Sequence, residues 1–379
     1  MNIPFLDLKR QYREIKDEID TAIQRVVNSQ AFILGNEVIQ LEQKIADYCG
    51  VKHAIGVASG TDALLLSLKA LGVGQNKTDK VITTTFTFFA TAGSIVNVGA
   101  QPVFVDIDLE TYNIDSNKIE ELLKNNPDLQ NDVKAIIPVH LYGQIADMDS
   151  IVKVSQHYNL SIIEDAAQSI GSIYKGKQAG TMGDLGCFSF FPSKNLSCYG
   201  DGGMVITDDD DLAEKIRMLR VHGCKTKYIH SVVGNNSRLD SLQAAIVSTK
   251  LPHLNRWVEA RRKNAQMYNE LLENVAGLTI PNTDQGNLHT YNQYTVMVEN
   301  GKRDALQRFL HEKGIATAIY YPLPLHLQEC FNYLGYKNGD MPHSEKAAHQ
   351  VLSLPVFPEI TKEEIEYTCE HIKQFVSLL

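Results

Sequence analysis

Between positions 53 and 207 short apolar runs alternate with stretches of helical periodicity, and this restricts the fold more than any other feature of the chain. The runs are His53 to Val57, Val81 to Thr84, Pro102 to Val105, Ala135 to Val139, Leu160 to Ile163, Phe188 to Phe191 and Met204 to Thr207. Runs of four or five mostly apolar residues suit strands covered on both faces. Strands separated by helices form a mostly parallel sheet with right-handed crossovers, so the fold class is α/β. Helices are expected at Tyr12 to Asn28 (Ile15, Ile19, Ala22, Ile23 and Val26 at helical spacing), Glu37 to Tyr48, from about Asp62 through Leu71, Leu212 to Val221 and Leu239 to Leu251.

With 379 residues there is room for one large domain and a smaller one. The division expected is 1–252 and 253–379, with a helix from Leu254 to Val275, carrying the lone Trp257, as the link. The second part reads as α+β. It has a loop at Pro281 to Asn287, strands at Asn292 to Val298 and Ala316 to Tyr321, and helices at Arg303 to Lys313, Ser344 to Leu352 and Lys362 to Leu379. Thr361 and Glu364 have capping-box spacing at the start of the last helix.

A formal charge of −9 argues against a nucleic-acid binder, which needs a basic face for phosphates. The first twenty residues carry charges where a signal peptide has an apolar core, and no apolar run is long enough to span a bilayer. Six scattered cysteines without a CxxC pair point away from disulfide and zinc frameworks and towards a reduced cytoplasm; Cys187 and Cys198 are read as packing residues. Asp208 to Asp211 reads as a solvated turn, and the polar stretch Lys225 to Asn236 as a mobile loop.

The chemistry gathers at FSFFPSKNLSCYGDGGM, Phe188 to Met204. Pro192 ends a strand-like run, Ser193 and Lys194 follow in a turn, and three glycines precede the next run. Lys194 therefore sits between two strands in an apolar setting, where desolvation lowers an amine's pKa and makes it a nucleophile. Taken alone, such a lysine also fits an ordinary surface turn. Twenty-nine residues upstream, Asp165 ends the run Leu160 to Ile163, and ligands of open parallel sheets bind outside the carboxyl ends of strands. A lone Asp there is equally a helix N-cap. A strand-end aspartate followed by a strand-end lysine, however, is the pair pyridoxal phosphate chemistry needs: a carboxylate for the ring nitrogen and an amine for the aldehyde.

Ala58-Ser59-Gly60-Thr61-Asp62 joins a strand to a helix start, where free N–H groups and the positive dipole end attract an anion. Beside Asp165 and Lys194, Gly60 and Thr61 are assigned to the cofactor phosphate; simple helix capping is the alternative. Neither the full P-loop signature GxxxxGK(S/T) nor GxGxxG occurs, so triphosphate and dinucleotide motifs lack support. Phe86, Phe88 and Phe89 follow a strand; at least one belongs to the core and one could stack on a ring.

IPFLDLKRQY, FILGNEV, ASGTDAL, TTFTFFATA, DIDLETYNID, IPVHLYGQ, IEDAAQS, FFPSKNL with GDGG, GNNSRLDSLQAA, NQYTV and YYPLPLH follow one another along nearly the whole chain. In these motifs the sequence resembles the DegT/StrS family of pyridoxal 5′-phosphate-dependent sugar-nucleotide aminotransferases, most closely the branch acting on UDP-linked 3-keto sugars. The resemblance implies fold type I, with a seven-stranded, mostly parallel sheet and a smaller C-terminal α+β domain. It implies catalysis by Lys194 and Asp165 and a cofactor shell of Gly60, Thr61, Phe88, Gln168, Ser189 and Asn236. Asn236 would reach the phosphate of a neighbouring subunit in a homodimer with shared sites; capping of the next helix is its bland alternative. Arg238, Tyr294, Tyr320, Tyr321 and His326 would meet the nucleotide sugar, and L-glutamate would be the amino donor. No metal is implied. The setting would be amino-sugar and surface-polysaccharide biosynthesis in the cytoplasm. The alternatives are amination of a dTDP- or UDP-linked 4-keto hexose, or a non-enzymatic regulator of the same fold. Relatives that dehydrate sugars have histidine where this chain has Lys194.

Overall fold

The computed structural model describes residues 1–283 and 286–377, so the loop expected at Pro281 to Asn287 and the last helix expected to Leu379 lie partly outside the described residues. Strands β1 (His53–Val57), β2 (Lys80–Thr84), β3 (Gln101–Val105), β4 (Val133–Ile137) and β5 (Ser161–Asp165) come first. A small ribbon, β6 (Ile173–Tyr174) and β7 (Lys177–Gln178), precedes β8 (Leu185–Ser189) and β9 (Gly203–Thr207). Seven of these form one sheet in the order β1-β9-β8-β5-β4-β2-β3. Neighbours from β3 to β8 are parallel, while β9 runs antiparallel to both β8 and β1. The reversal has a local cause: no helix lies between β8 and β9, so the chain turns back without a crossover.

Successive residues of the strands face opposite cores. Ile136, Ile162, Phe188 and Ile206 join one apolar cluster, whereas Ile137, Ile163, Cys187 and Val205 join the other. Both faces are covered, by helices that include α3 (Asn36–Cys49) and α10 (Ser241–Lys250) on the first and α4 (Gly60–Ala70) and α9 (Asp210–Leu219) on the second. Because six strands run the same way, the carboxyl ends of β1, β2, β5 and β8 and the amino end of β9 share one rim. That rim is where the predicted chemistry gathers.

The N-terminal helix expected as one piece is two, α1 (Leu8–Glu14) and α2 (Lys16–Ser29), broken where Ile15 leaves helical geometry and packs with Ile19, Ile246 and Trp257. Asp7 starts α1 by accepting from the backbone of Lys9 and Arg10. Asp209, in the supposed solvated turn, caps α9 through the Leu212 N–H. The stretch read as a loop contains an exposed ribbon, β10 (Cys224–Thr226) and β11 (Ile229–His230).

Helix α11 (Leu254–Leu272) sends Leu254 and Val258 into the first core and Ala265, Tyr268 and Leu272 into a third. This third core lies under a smaller sheet, β12 (Leu278–Thr279), β13 (Tyr294–Val298) and β14 (Val351–Leu354). Two expectations fail here. Residues 316–321 form no strand and make only an isolated bridge, Ala318 with Ser353. The strand is instead VLSL at β14, directly after α13 (Pro342–Gln350), at a place where the sequence pattern continues as helix. Ile3 pairs with Ile315 and packs in this core, so the start of the chain joins its C-terminal part. The capping box at α14 (Lys362–Ser377) is present: Thr361 Oγ1 accepts from Glu364 N, and the Glu364 carboxylate accepts from Thr361 N. Among the described residues no helix is long and apolar enough to cross a membrane.

Candidate active site

Ser59 is the N-cap of α4, its hydroxyl accepting from Asp62 N at 3.1 Å. The N–H groups of the first turn beyond it have no intrahelical acceptor. A Cβ on Gly60 would stand 2.7 Å from Ser189 Cβ and 3.2 Å from its hydroxyl. A Cβ on Gly203 would stand 2.4 Å from the Ser59 carbonyl oxygen. The helix start is thus seated directly on the end of β8 and the beginning of β9, an approach that side chains at 60 or 203 would block. Free amides and the Ser189 hydroxyl converge there, as an oxyanion of phosphate size requires.

Asp165 ends β5 with its backbone tied on both sides, its N–H to the Pro138 carbonyl and its own carbonyl to the His140 N–H. The side chain is buried. Oδ2 accepts from Thr91 Oγ1 at 2.8 Å and Oδ1 from Ala167 N at 3.2 Å. Burial pushes the carboxyl pKa up, and the Thr91 hydroxyl leads the influences that restrain it. Beside it, Glu164 and His140 form a wholly buried pair at 2.8 Å. The Ala146 N–H points at His140 Nδ1, which places the imidazole proton on Nε2, facing Glu164. Glu164 also accepts from the backbone of Gly180, Met182 and Gly183, so this carboxylate is committed to structure.

Lys194 follows Pro192 in the turn expected for it, its N–H donating to the Phe191 carbonyl. Its Nζ makes no hydrogen bond among the described residues, and burial pulls the ammonium pKa down to about 8, with Asp165 pushing the other way. A free, partly deprotonated amine is therefore available near neutral pH. Cys187 and Cys198 are buried packing residues.

Gln168 is oriented by its neighbours. Its Oε1 accepts from Tyr142 N at 2.7 Å, which turns Nε2 towards the Tyr321 hydroxyl at 3.2 Å and leaves one amide proton for a ligand. Of the three phenylalanines, Phe86 is core and Phe88 is 57 % exposed, its ring centroid 6.3 Å from that of Tyr321. Tyr320 and Tyr321 are held close by, Tyr320 through its carbonyl, which accepts from the Tyr142 hydroxyl.

Two expected substrate residues lie elsewhere. Tyr294 is fully buried in the C-terminal core, with its ring 4.8 Å from that of Tyr268 and its hydroxyl donating to Asn269. His326 is 1 % exposed and lies between Thr85 Oγ1 at 2.7 Å and Glu345 Oε1 at 3.0 Å. Neither side chain has surface to offer a ligand. NQYTV is a core strand, and the histidine of YYPLPLH is a strut; periodicity at Tyr294 to Val298 could have revealed the first. Asn236 is exposed next to the β10–β11 ribbon and bridges Val221, while Asp240 occupies the N-cap of α10, so Asn236 does not cap that helix. Arg238 is half-buried and without an ion pair among the described residues. Thr91 and Tyr142 escaped the sequence reading, since neither a buried hydroxyl nor a left-handed tyrosine (φ 59°) leaves a local pattern.

The profile of the DegT/DnrJ/EryC1/StrS aminotransferase family matches residues 13–373, and the chain belongs to that family. A pleiotropic regulatory protein of Geobacillus stearothermophilus is 53% identical over 99% of each chain. A UDP-N-acetyl-3-dehydro-alpha-D-glucosamine 3-aminotransferase of Acidithiobacillus ferrooxidans is 46% identical, covering 96% of this chain and 95% of its own. The crystal structure of S. venezuelae DesV in complex with a ketimine intermediate superposes with a TM-score of 0.94 at 38% identity, over 99% of this chain and 98% of that one. Family members use pyridoxal 5′-phosphate. The residues present fit that group: a buried carboxylate, an unpaired amine, an exposed ring and an anion cradle that a Cβ would fill.

Proposed function

We propose that this chain is a pyridoxal phosphate-dependent aminotransferase acting on a keto group of a nucleotide-linked hexose, most closely a UDP-linked 3-keto sugar, with L-glutamate as donor. The observation that carries the chemistry is the unpaired Lys194 amine with a pKa near 8 on the same rim as the buried Asp165 carboxylate. The sugar class is supported by the 46% identical aminotransferase of a 3-dehydro UDP sugar.

Gly60, Thr61 and Ser189 would hold the phosphate, Phe88 would cover one ring face, and Gln168 Nε2 would meet the ring hydroxyl. Asp165 would face the ring nitrogen and hold its proton. The bound group supplies an aldehyde carbon for the transferred nitrogen and a ring that accepts the electron pair left at the reacting carbon. Lys194 would carry the proton between the nitrogen-bearing carbon of the donor or sugar and the aldehyde carbon of the cofactor, a role suited to an amine with a pKa close to the working pH. Tyr320, Tyr321 and Arg238 are assigned to the sugar nucleotide. Asn236, beside the exposed ribbon, is assigned to the phosphate site of a second copy, which makes the working unit a homodimer. Residues 7–252 are proposed as the cofactor-binding domain, with 253–379 and the first few residues as the smaller one. The setting proposed is the cytoplasm and amino-sugar biosynthesis.

The 53% identical relative bears the name of a regulator, which favours a second, non-enzymatic reading. The deciding test loads Lys194→Ala with pyridoxamine phosphate. Turnover of a 3-keto or 4-keto sugar nucleotide by the wild-type chain, with retained binding and no turnover in the variant, supports the enzyme. Substantial transamination by that variant, or a wild-type chain that remains colourless with the cofactor, defeats it.

A further inference from the structure

Asp165 is backed by two threonines to which the proposed chemistry gives no part. Thr91 lies in the first turn of α5 (Ala90–Asn97), fully buried, with Oγ1 2.8 Å from Asp165 Oδ2. Thr87, also buried, places its Oγ1 3.3 Å from the Thr91 hydroxyl. A threonine hydroxyl has one proton. If Thr91 spends it on Asp165, Thr87 must donate into Thr91, and the pair becomes a one-way chain, Thr87 to Thr91 to Asp165. Such a chain ends on an acceptor and so favours the carboxylate over the protonated acid. Ala167 N–H holds the other oxygen at 3.2 Å, so the plane of the carboxylate is fixed from two directions.

The same turn presents the Phe88 ring to the cleft, and Phe88 also lends its carbonyl to the Thr91 N–H at 3.3 Å. One six-residue stretch, Phe86 to Thr91, therefore carries both the exposed Phe88 ring and the hydroxyl that meets the Asp165 carboxylate. We propose that Thr91 is a positioning residue: its hydroxyl keeps Asp165 ionised and turns the carboxylate's remaining lone pairs towards the ring nitrogen of the cofactor. This rests on the assignment of Asp165 to that nitrogen. Burial alone favours the neutral acid, and Thr91 is the foremost influence against it.

Thr91→Val removes the donor while keeping the branched shape, and Thr91→Ser keeps the donor. The test is equilibrium binding by the full-length chain freed of cofactor. One ligand is pyridoxamine phosphate and the other its analogue with C–H in place of the ring nitrogen. Both share phosphate, ring hydroxyl and outline, so a general loss of structure lowers both affinities together. The wild-type chain is expected to prefer the pyridine. Thr91→Val should cut that preference roughly tenfold or more, as befits one hydrogen bond to a charged group. It should change the analogue's affinity by no more than about twofold, and Thr91→Ser should restore the preference. Thr87→Val, which withdraws the donor into Thr91, should cut the preference about threefold and serves if Thr91→Val fails to fold. Equal losses for both ligands, or an unchanged preference in the valine variants, overturn the role of Thr91 alone. A wild-type chain with no preference overturns the assignment of Asp165, and this proposal with it.

Discussion

The first residue of α4 and the last residue of β8 touch with nothing between them: a Cβ on Gly60 would lie 2.7 Å from Ser189 Cβ and 3.3 Å from Ser189 Cα. The contact is with a backbone-proximal atom, which cannot swing aside as the end of a long side chain can.

Gly60→Ala should therefore push the helix start off the strand end. The expected outcome is an about tenfold or greater loss of cofactor affinity, with about 1–3 kcal/mol of destabilisation from overpacking. Titration with pyridoxamine phosphate and urea unfolding check the two parts. Unchanged affinity would separate Gly60 from the phosphate.

Lys250, at the end of α10, is buried with Nζ 3.1 Å from Ser197 Oγ and 4.5 Å from the centre of the Tyr199 ring, and has no ion-pair partner among the described residues. Burial lowers its pKa from 10.5 to about 8. Below pH 8 the fold holds a charged amine in a dry place. Between about 8 and 10.5 the unfolded chain binds a proton that the folded chain has released, so this group's contribution to stability rises with pH across that window. Lys250→Met should remove that rise. Its stability relative to wild type should be highest near pH 7 and fall by up to about 3 kcal/mol by pH 10.5. Urea midpoints of both chains at pH 7 and 9.5 decide it; a constant difference would refute the assignment.

Tyr294 and His326 are built into the framework rather than the cleft, and their variants should show it. Tyr294→Phe is expected to lower stability by about 1 kcal/mol, and His326→Ala by about 1–3 kcal/mol through the lost imidazole bonds to Thr85 and Glu345 and the space left by a buried ring. The KM for the sugar nucleotide should stay within about twofold in both. A KM increase of an order of magnitude with stability intact would return either residue to the substrate.

The ribbon of β10 and β11 leaves Tyr228 83 % and Val233 88 % exposed, near Asn236. Large apolar and aromatic side chains this exposed suit burial against a second copy of the chain. Tyr228→Asp with Val233→Asp should yield monomers in sedimentation analysis and abolish transamination. The monomers should still unfold cooperatively. Full activity in a monomeric variant would show that each site is complete within one chain.

Much of this protein can be read from its residues in a row. The seven strands of the large sheet need only apolar runs, because a strand covered on both faces leaves no polar alternation to mislead, whereas the small ribbon of β6 and β7 has no such run. Asp165 was legible because it ends its strand before Ala-Ala, and Lys194 because Pro192 marks the turn around it, although β8 ends at Ser189 and not at the proline, as the run Phe188 to Phe191 suggested. The third strand of the small sheet was not, since VLSL directly continues a helical pattern and takes its extended form from pairing with Tyr294 to Met297.

Sequence alone determined the alternation of elements, hence the mostly parallel sheet, and singled out Lys194 and Asp165 at its rim. Tertiary structure decided which neighbours those residues have. The hydroxyl of Thr91 on Asp165, the Tyr142 amide that turns Gln168, and the withdrawal of Tyr294 and His326 from the cleft all join residues 26 to 241 positions apart or place them by burial. Hydrogen bonds and burial of that range depend on how sheets and helices pack, and no local pattern of residue types encodes them.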